Sequence, residues 1–574
     1  MKIALLLASS LALATTLSAQ GLTPNTGTCR CCNLGRIYAP YLKKLPPPQQ
    51  RNDIGNSHIK ITTTSKKAQQ WFDQGLNLLH AFWEFEAYRC FLQAAKEDPE
   101  CAMAYWGICM SLPGKLVESA NERALALKTA KELSSKASDH EQLYIQMVEK
   151  LINNGSSAAA TSLRTIVQKY PNDPEAKAWL ALWLRAGYGT DGKPLAGTSE
   201  ALKILRPALE KHPMHTGLNH YMIHVLEQGP DFEQARTAAI ALPKAAPGAG
   251  HLVHMPGHIY YLAGEYEKAC QAFRACHRVE TNYLKSGKIP AIDNNNYLHN
   301  LHFLTYAAAD QGKYQEALQT AAIFSRTQAP PSRSKSAGAS QIHYLATTAT
   351  ALVHMRAGKF DLAAASLLPD SIPQTSSAKH YILFLRSYCR LQHTMRSATP
   401  DADLIRSEKL AATLHFNNLN AAKPLSSGAL HPWTHARAAC KVMLNEIRAW
   451  TDNPIDQKTF KKTWAKLAIR EMSRSGYSEP PLLIVPVEES LGWLALRNDH
   501  HAQAREFFQA SLKTRRNNGH AYLGIARSFR REKNTPEAKT YYQKVIDAFP
   551  HADQKLPALK EANAYLIAHP SPKG

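Results

Sequence analysis

Ten of the chain's 25 histidines fall between positions 212 and 302: His212, His215, His220, His224, His251, His254, His258, His277, His299 and His302. At about 100° per residue, helical periodicity puts His220 and His224 of "LNHYMIHVLEQ" on one face. It does the same for His251, His254 and His258 of "GAGHLVHMPGHIYYLAG", and for His299 and His302 of "YLHNLHFLTYAA". Neutral imidazole is the commonest metal ligand of proteins and suits zinc, copper and nickel, and pairs spaced i, i+3 or i+4 can share one ion. Three such groups would make a metal site, or the centre of a metalloenzyme, on His220, His224, His251, His254, His258, His299 and His302. The bland alternative stays open: each ring packs between helices with its nitrogens bonded to backbone or neighbour, or serves pH-dependent or anion binding. Asn219, Tyr221, Asn300 and Asp310 lie close enough in sequence to orient imidazoles or to act as acids.

Other chemical signatures are weak. The chain has no HExxH with its glutamate base, no phosphate-binding P-loop, no GxGxxG after a strand and no GxSxG nucleophile elbow. Trp71, Phe82, Trp83, Tyr105 and Trp106 enrich one stretch in aromatic rings, which suits packing between helices and, as a second use, stacking of a ligand. Pro256, between His254 and His258, allows two local structures. As an interior residue it removes a backbone donor, crowds the Leu252 carbonyl and kinks the helix, with Gly257 adding flexibility. Alternatively, "MPG" opens a helix at Pro256, and His251 and His254 precede it in a loop.

Those histidines need elements to position them, and the chain supplies a repeat. In "AQQWFDQGLNLLHAFWEFEAYRCFLQAAKEDPE", Trp71, Gly75, Ala87, Phe91 and Pro99 are spaced so that small residues fall where two antiparallel helices touch. Phe91 then fills the gap to the next unit and Pro99 ends the second helix. Near the other end, Leu491 and Ile525, Ala504 and Ala538, and Phe508 and Tyr542 are each 34 residues apart. Between them, Gly264, Gly312 and Gly358 lead "AGEYEKACQAF", "QGKYQEALQTA" and "AGKFDLAAASL", at intervals of 48 and 46 residues, so the central units are longer. Strand-like alternation is nearly absent, which predicts an all-α solenoid of stacked helix pairs.

These motifs resemble the tetratricopeptide repeat over most of 67–370 and 485–560. "DPECAMAYWGICMSL" and "GAGHLVHMPGHIYYLAGEYEKA" are similar to segments of a subgroup of exported bacterial proteins with that repeat. The resemblance implies a concave surface, lined mainly by the first helix of each pair, that binds peptides or partner proteins. Each histidine group precedes its unit's turn, so on that implication the groups lie on first helices and face the inner groove, about 10 Å from one another.

The opening "MKIALLLASSLALATTLSAQ" has a lysine, an apolar run and small residues, as a secretory signal does, and predicts export to periplasm or exterior. Export permits disulfides among the ten cysteines; the tight Cys29, Cys31 and Cys32 group is expected to form them, whereas Cys90, Cys101, Cys270 and Cys276 also suit buried helix contacts. No later stretch approaches the roughly 18 apolar residues that a spanning helix needs. Sixty-eight Lys and Arg against 46 Asp and Glu give a formal charge of +22, which favours acidic partners or anionic surfaces. Export argues against nucleic acid, so the basic stretch 511–533 is expected to be a solvated face that touches anionic polymer or membrane.

The expected organisation is a signal at 1–19, an extended Cys- and Pro-containing arm at 20–66, and helical repeats at 67–370. An irregular helical region at 371–484 and a C-terminal repeat pair at 485–565 follow. Two functions remain open: an exported scaffold that binds a partner protein or peptide in its groove, and a histidine-rich protein that binds zinc or copper on its central first helices.

Overall fold

The computed structural model describes residues 45–112, 117–189, 191–327, 337–368, 376–421, 434–453 and 459–570. The signal-like segment and the group Cys29, Cys31 and Cys32, with the disulfides expected there, lie outside the described residues. Within them the chain is helical, and the one β pairing is an isolated bridge between Tyr188 and Pro194. The fold is an α-solenoid. No described helix is long and apolar enough to cross a membrane. Cys90, Cys101, Cys109, Cys270, Cys276, Cys389 and Cys440 are all buried free thiols, acting as small packing residues.

The repeat spacing has the steric origin that the sequence suggests. Helix Lys66–His80, capped by the Ser65 hydroxyl accepting from Ala68 N, packs antiparallel on Glu84–Glu97, and Ala102–Ser111 opens the next unit. A Cβ on Gly75 would lie 2.7 Å from the Phe91 ring, and one on Gly107 would lie 2.2 Å from it, so both glycines admit one aromatic wedge. At the other end Gly492 and Gly524 flank Phe508 in the same way, at 2.7 and 2.2 Å. Gly264, Gly312 and Gly358 take φ of 76°, 77° and 71°, a left-handed conformation that turns the first helix of each central unit into the second at no Cβ penalty.

Two local expectations are corrected. Gly257 does not loosen its helix: a Cβ there would meet the Phe273 ring at 2.2 Å, so Gly257 is the close-contact glycine of its unit. Around Pro256 the chain is helical on both sides. Gly250–His254 and Pro256–Ala263 are joined by Met255, itself right-handed at φ −57° and ψ −35°. His251 and His254 are therefore on a helix and not in a loop, and Pro256 interrupts only the hydrogen-bond ladder.

The solenoid folds back on itself at both ends. Described residues of the N-terminal arm are extended but not free: Arg51 Nη2 donates to Gly248 O at 2.7 Å, Gly248 N donates to Asp53 O at 2.7 Å, and Ser57 N donates to Asn77 Oδ1 at 2.9 Å. From the C-terminal side, Arg515 reaches Asp310 and Tyr261. One apolar core runs from Ile54 to Ile289 and another from Tyr261 to Ile525; Ile259 belongs to the first and Tyr261 to the second, so Pro256–Ala263 lies at their seam. The basic stretch 511–533 is not a solvated face throughout. Arg515 is buried, Arg516 sits over the Phe232 ring, and Arg527 and Arg530 pair with Glu561.

Candidate metal centre

Three helices of the first-helix type bring six of the seven candidate histidines into one buried body. Helix Thr216–Leu226 supplies His220 and His224, the Gly250–His254 and Pro256–Ala263 pair supplies His251, His254 and His258, and Asn295–Asp310 supplies His299. None exceeds 1% exposure, so they do not line an open groove as the resemblance implied. The Phe82 ring, at a turn with positive φ, covers His220, His224 and His251 at centroid distances of 4.6, 5.3 and 5.6 Å. His302 stands apart, its ring against Tyr306 and Phe324, because a three-residue step rotates it about 60° away from His299. Burial, then the His299 imidazole, pushes the His302 ring down to about 3.

The six rings divide into two triads. Ligand-capable atoms of His220, His224 and His251 lie within 4.8 Å of one another, as do those of His254, His258 and His299, and as do those of His224, Glu227 and Glu479. His254 and His258 are the tightest pair, with their Nε2 atoms 2.8 Å apart. Two nitrogens on one tetrahedral zinc at 2.0–2.1 Å would stand about 3.3 Å apart, so a few tenths of an ångström separate this pair from ligand geometry.

Partners on the outer side of the rings fix where the protons are. His220 Nδ1 donates to the His80 carbonyl at 2.5 Å, since a carbonyl can only accept. His224 Nδ1 donates to Glu227 Oε1 at 2.5 Å and His258 Nδ1 to Glu227 Oε2 at 2.8 Å. Burial raises the Glu227 carboxyl, but His224 and His258 outweigh it and hold the group well below the carboxylate range, ionised and accepting. His254 Nδ1 donates to Asn300 Oδ1 at 2.8 Å, and the amide is oriented that way because its Nδ2 donates to Phe273 O at 2.9 Å. Nδ1 is thus committed outward on all four rings, and Nε2 faces the interior.

There the partners stop. Nε2 of His220, Nε2 of His224 and both nitrogens of His251 are buried without a hydrogen bond among the described residues. Burial, followed by the neighbouring rings, pushes His220 and His251 well below the usual imidazole range, so they are neutral; with its proton on Nδ1, His220 presents a bare lone pair at Nε2. Between His254 and His258 the same logic leaves two inward nitrogens at contact distance, which only a shared proton or a shared cation can join.

Three functional neighbours, Glu227, Glu479 and His80, escape sequence reasoning, and a fourth, Phe82, is expected there only as one ring of an aromatic stretch. Glu227 sits one helical turn after His224, a spacing that could have revealed it. Glu479 comes from the loop before Val487–Arg497, far away in sequence, and its Oε2 is 3.9 Å from His258 Nδ1. It also lines a cleft of about 900 Å³, open mouth included, with His302, Tyr306, Tyr381, Tyr388 and Met443. Phe82 and His80 arrive from the first unit; His80 Nε2 bonds Glu175 Oε2 at 2.6 Å, and His215 Nε2 bonds Glu175 Oε1 at 2.9 Å. Of the four residues expected to orient imidazoles, Asn300 orients His254 and the Tyr221 hydroxyl bonds His80 Nδ1 at 3.0 Å. Asn219 binds backbone carbonyls of Pro213 and His215, and Asp310 pairs with arginines, so neither touches the triads.

Residues 490–553 match the family model of the tetratricopeptide repeat. The chain carries tetratricopeptide repeats at 490–553. A comparison with curated proteins finds no match. Among solved structures, the chain is similar to Naa15/Naa10 bound to HypK-THB at 11% identity, over 88% of this chain and 93% of that one, with a TM-score of 0.18. It is also similar to the tetratricopeptide repeat domain of P58(IPK) at 12% identity, over 75% and 99% of the two chains, with a TM-score of 0.17. Tetratricopeptide arrays are protein-interaction scaffolds, and their stacked units form extended concave surfaces. The histidine triads lie buried inside the helical array.

Proposed function

We propose that the protein is an exported helical-repeat protein whose central units hold a transition-metal centre, of zinc or copper, on His220, His224, His251, His254, His258 and His299. One observation carries this: the Nε2 atoms of His254 and His258 meet at 2.8 Å while both Nδ1 atoms are already committed to acceptors. A buried, outward-anchored imidazole set is the arrangement in which second-sphere partners fix the tautomer of metal ligands. The signal-like opening supports export. The test is elemental mass spectrometry of exported protein purified without a histidine tag, beside the His254→Ala/His258→Ala double variant. The expected result is at least one equivalent of a single transition metal, lost in the variant; no metal in a folded wild-type protein refutes the proposal.

A second reading has its own support. A groove of about 1400 Å³, including open solvent, runs between the central units and the C-terminal repeats. It is lined by Tyr314, Phe360 and Trp493, by Lys359, Arg396, Lys555 and the Glu561-paired Arg527, and by two carboxylates, Glu489 and Asp553. Rings interleaved with cations suit an acidic segment of a partner protein or peptide, and the excess positive charge also suits peripheral contact with an anionic envelope surface. Binding of a fluorescein-labelled acidic peptide, followed by anisotropy, should weaken at least tenfold in Lys359→Glu/Lys555→Glu. Equal binding would place any partner elsewhere.

A further inference from the structure

The triads invite a count of ions. Ring centroids within a triad run from 4.6 Å for His220 and His224 to 6.3 Å for His224 and His251, so the division into triads rests on the ligand-capable nitrogens, which lie within 4.8 Å of one another inside each set. Across the triads the closest approaches are 5.7 Å for His251 and His254, 6.2 Å for His251 and His299, and 6.3 Å for His224 and His258. One ion with ligands at 2.0–2.1 Å cannot collect all six rings, whereas each triad is compact enough for one. Glu227 belongs to both: Oε1 accepts from a ring of the first triad and Oε2 from a ring of the second.

We infer that the histidine core binds two copper ions in the cuprous state, one on His220, His224 and His251 and the other on His254, His258 and His299, with the Glu227 carboxylate anchoring a ring of each triad. This rests on the metal reading and adds the number, the element and the oxidation state.

Charge and coordination number select cuprous copper. The acidic side chains facing the triads are Glu227 and Glu479, and the nearest fixed cation is Arg185, whose Nη1 is 4.0 Å from Glu227 Oε1. With Arg185 counted beside the two carboxylates, two monovalent ions leave the core one positive charge, whereas two divalent ions leave three in a core with no exposed ring, at a cost that buried charge rarely recovers. Each triad presents three nitrogen donors; the further ligand-capable atoms beside them among the described residues are the carboxylates of Glu227, which already accepts from His224 and His258, and Glu479. Structural zinc is almost always four-coordinate, while a monovalent d¹⁰ ion accepts a trigonal set of neutral nitrogens, and imidazole is a good copper ligand. Glu227 is a positioning residue: it orients His224 and His258 through their Nδ1 protons and touches no metal.

The experiment is an anaerobic titration of the full exported chain with Cu(I), buffered by a chromophoric cuprous chelator, with zinc titrated in parallel. Wild type should retain two equivalents of copper, and His220→Ala/His251→Ala and His258→Ala should each retain one. Glu227→Gln should still take up two, with the affinity of both weakened about 10- to 100-fold, a joint effect that loss of fold at one site would not produce. His251→Leu and His258→Ile, which refill the core with apolar volume, repeat the one-equivalent test if the alanine variants unfold by circular dichroism. A single equivalent of copper, abolished by either set of changes, overturns the pair and leaves the metal reading standing. Two equivalents of zinc held in preference to copper overturn the cuprous assignment, and no uptake of either metal overturns both readings.

Discussion

Two buried polar bodies lie less than a helix apart in this protein, and they are finished to different degrees. In the first, Asp310, Arg356, Arg515, Glu489 and Asn518 satisfy one another. Arg356 Nε donates to Asp310 Oδ1 at 2.6 Å, its Nη1 to Glu489 at 3.0 Å and its Nη2 to Asn518 Oδ1 at 2.8 Å. Arg515 Nη1 donates to Asp310 Oδ2 at 2.5 Å and its Nη2 to Leu483 O at 3.1 Å. Those groups come from central and C-terminal units, so the network bolts the C-terminal repeats onto the central ones. In the second body, the histidine triads, the Nδ1 atoms of His220, His224, His254 and His258 are equally well anchored, but the inward Nε2 atoms of His220 and His224 and both nitrogens of His251 are not. A polar cluster that closes on itself is structural; one that is rigidly held and left open inward is arranged for something else.

The largest effect expected from this contrast is at the closed network. Asp310→Ala leaves Arg356 and Arg515 buried without their shared carboxylate and should cost about 3–5 kcal/mol, read by urea denaturation, equally with and without added metal. A metal-dependent loss would break the distinction between the two bodies.

Glu446 tests a third, intermediate cluster. Its Oε1 accepts from Tyr388 at 2.8 Å, Gln392 at 2.9 Å and Ser490, yet burial raises the carboxyl to about 7, with those hydrogen bonds and Arg396 offsetting only part of the penalty. The unfolded chain gives up this proton near the ordinary 4.5, the folded chain near 7, so this group's stabilising effect is full below pH 4.5 and is lost as pH rises to about 7. Glu446→Gln should flatten that decline and be more stable than wild type at pH 8 by up to about 3 kcal/mol, measured by denaturation across pH. An unchanged pH profile would show that the carboxyl titrates normally.

Gly257→Ala comes next. Its Cβ would meet Phe273 at 2.2 Å and should cost about 1–3 kcal/mol by overpacking, with loss of metal from both neighbouring histidines if the triads depend on helix spacing. The smallest effect belongs to His258→Ile. In three other units the residue after the contact glycine is Leu76, Ile108 or Ile525, all buried, and after Gly492 it is Trp493, so isoleucine restores the commonest repeat core. Without metal the variant should match or exceed wild type by about 1 kcal/mol, and metal should no longer raise its melting temperature. A large destabilisation in metal-free buffer would mean that His258 works mainly as packing.

That last comparison shows how the fold was legible in the sequence and where legibility ended. Trp71, Gly75, Ala87, Phe91 and the 34-residue offsets specify helix pairs because each unit must make the same close contacts, and a repeated steric need leaves a repeated residue. Clustering and helical spacing were enough to pick out six of the rings in the triads. His302 could not be separated from them, because His302 and His254 both precede their turn glycine by ten residues, and only the break at Pro256 distinguishes their helices. Glu479 left no signal, and Phe82 stood out only as one ring of an aromatic stretch: both reach the triads through closure of the array, a long-range event that local periodicity does not encode. For the same reason an open groove was expected where the structure has a covered interior.

The closure has a consequence for how the protein comes into being. Ordinary repeat arrays fold and unfold piecemeal, since each unit leans only on its neighbours. Here Asn296 reaches the carbonyl of Ala81, Arg51 that of Gly248, and Glu479 lies beside His258. The interior is complete only when segments almost 400 residues apart have met. The chain should therefore behave as one cooperative body, its histidine interior complete only after its last repeats are in place.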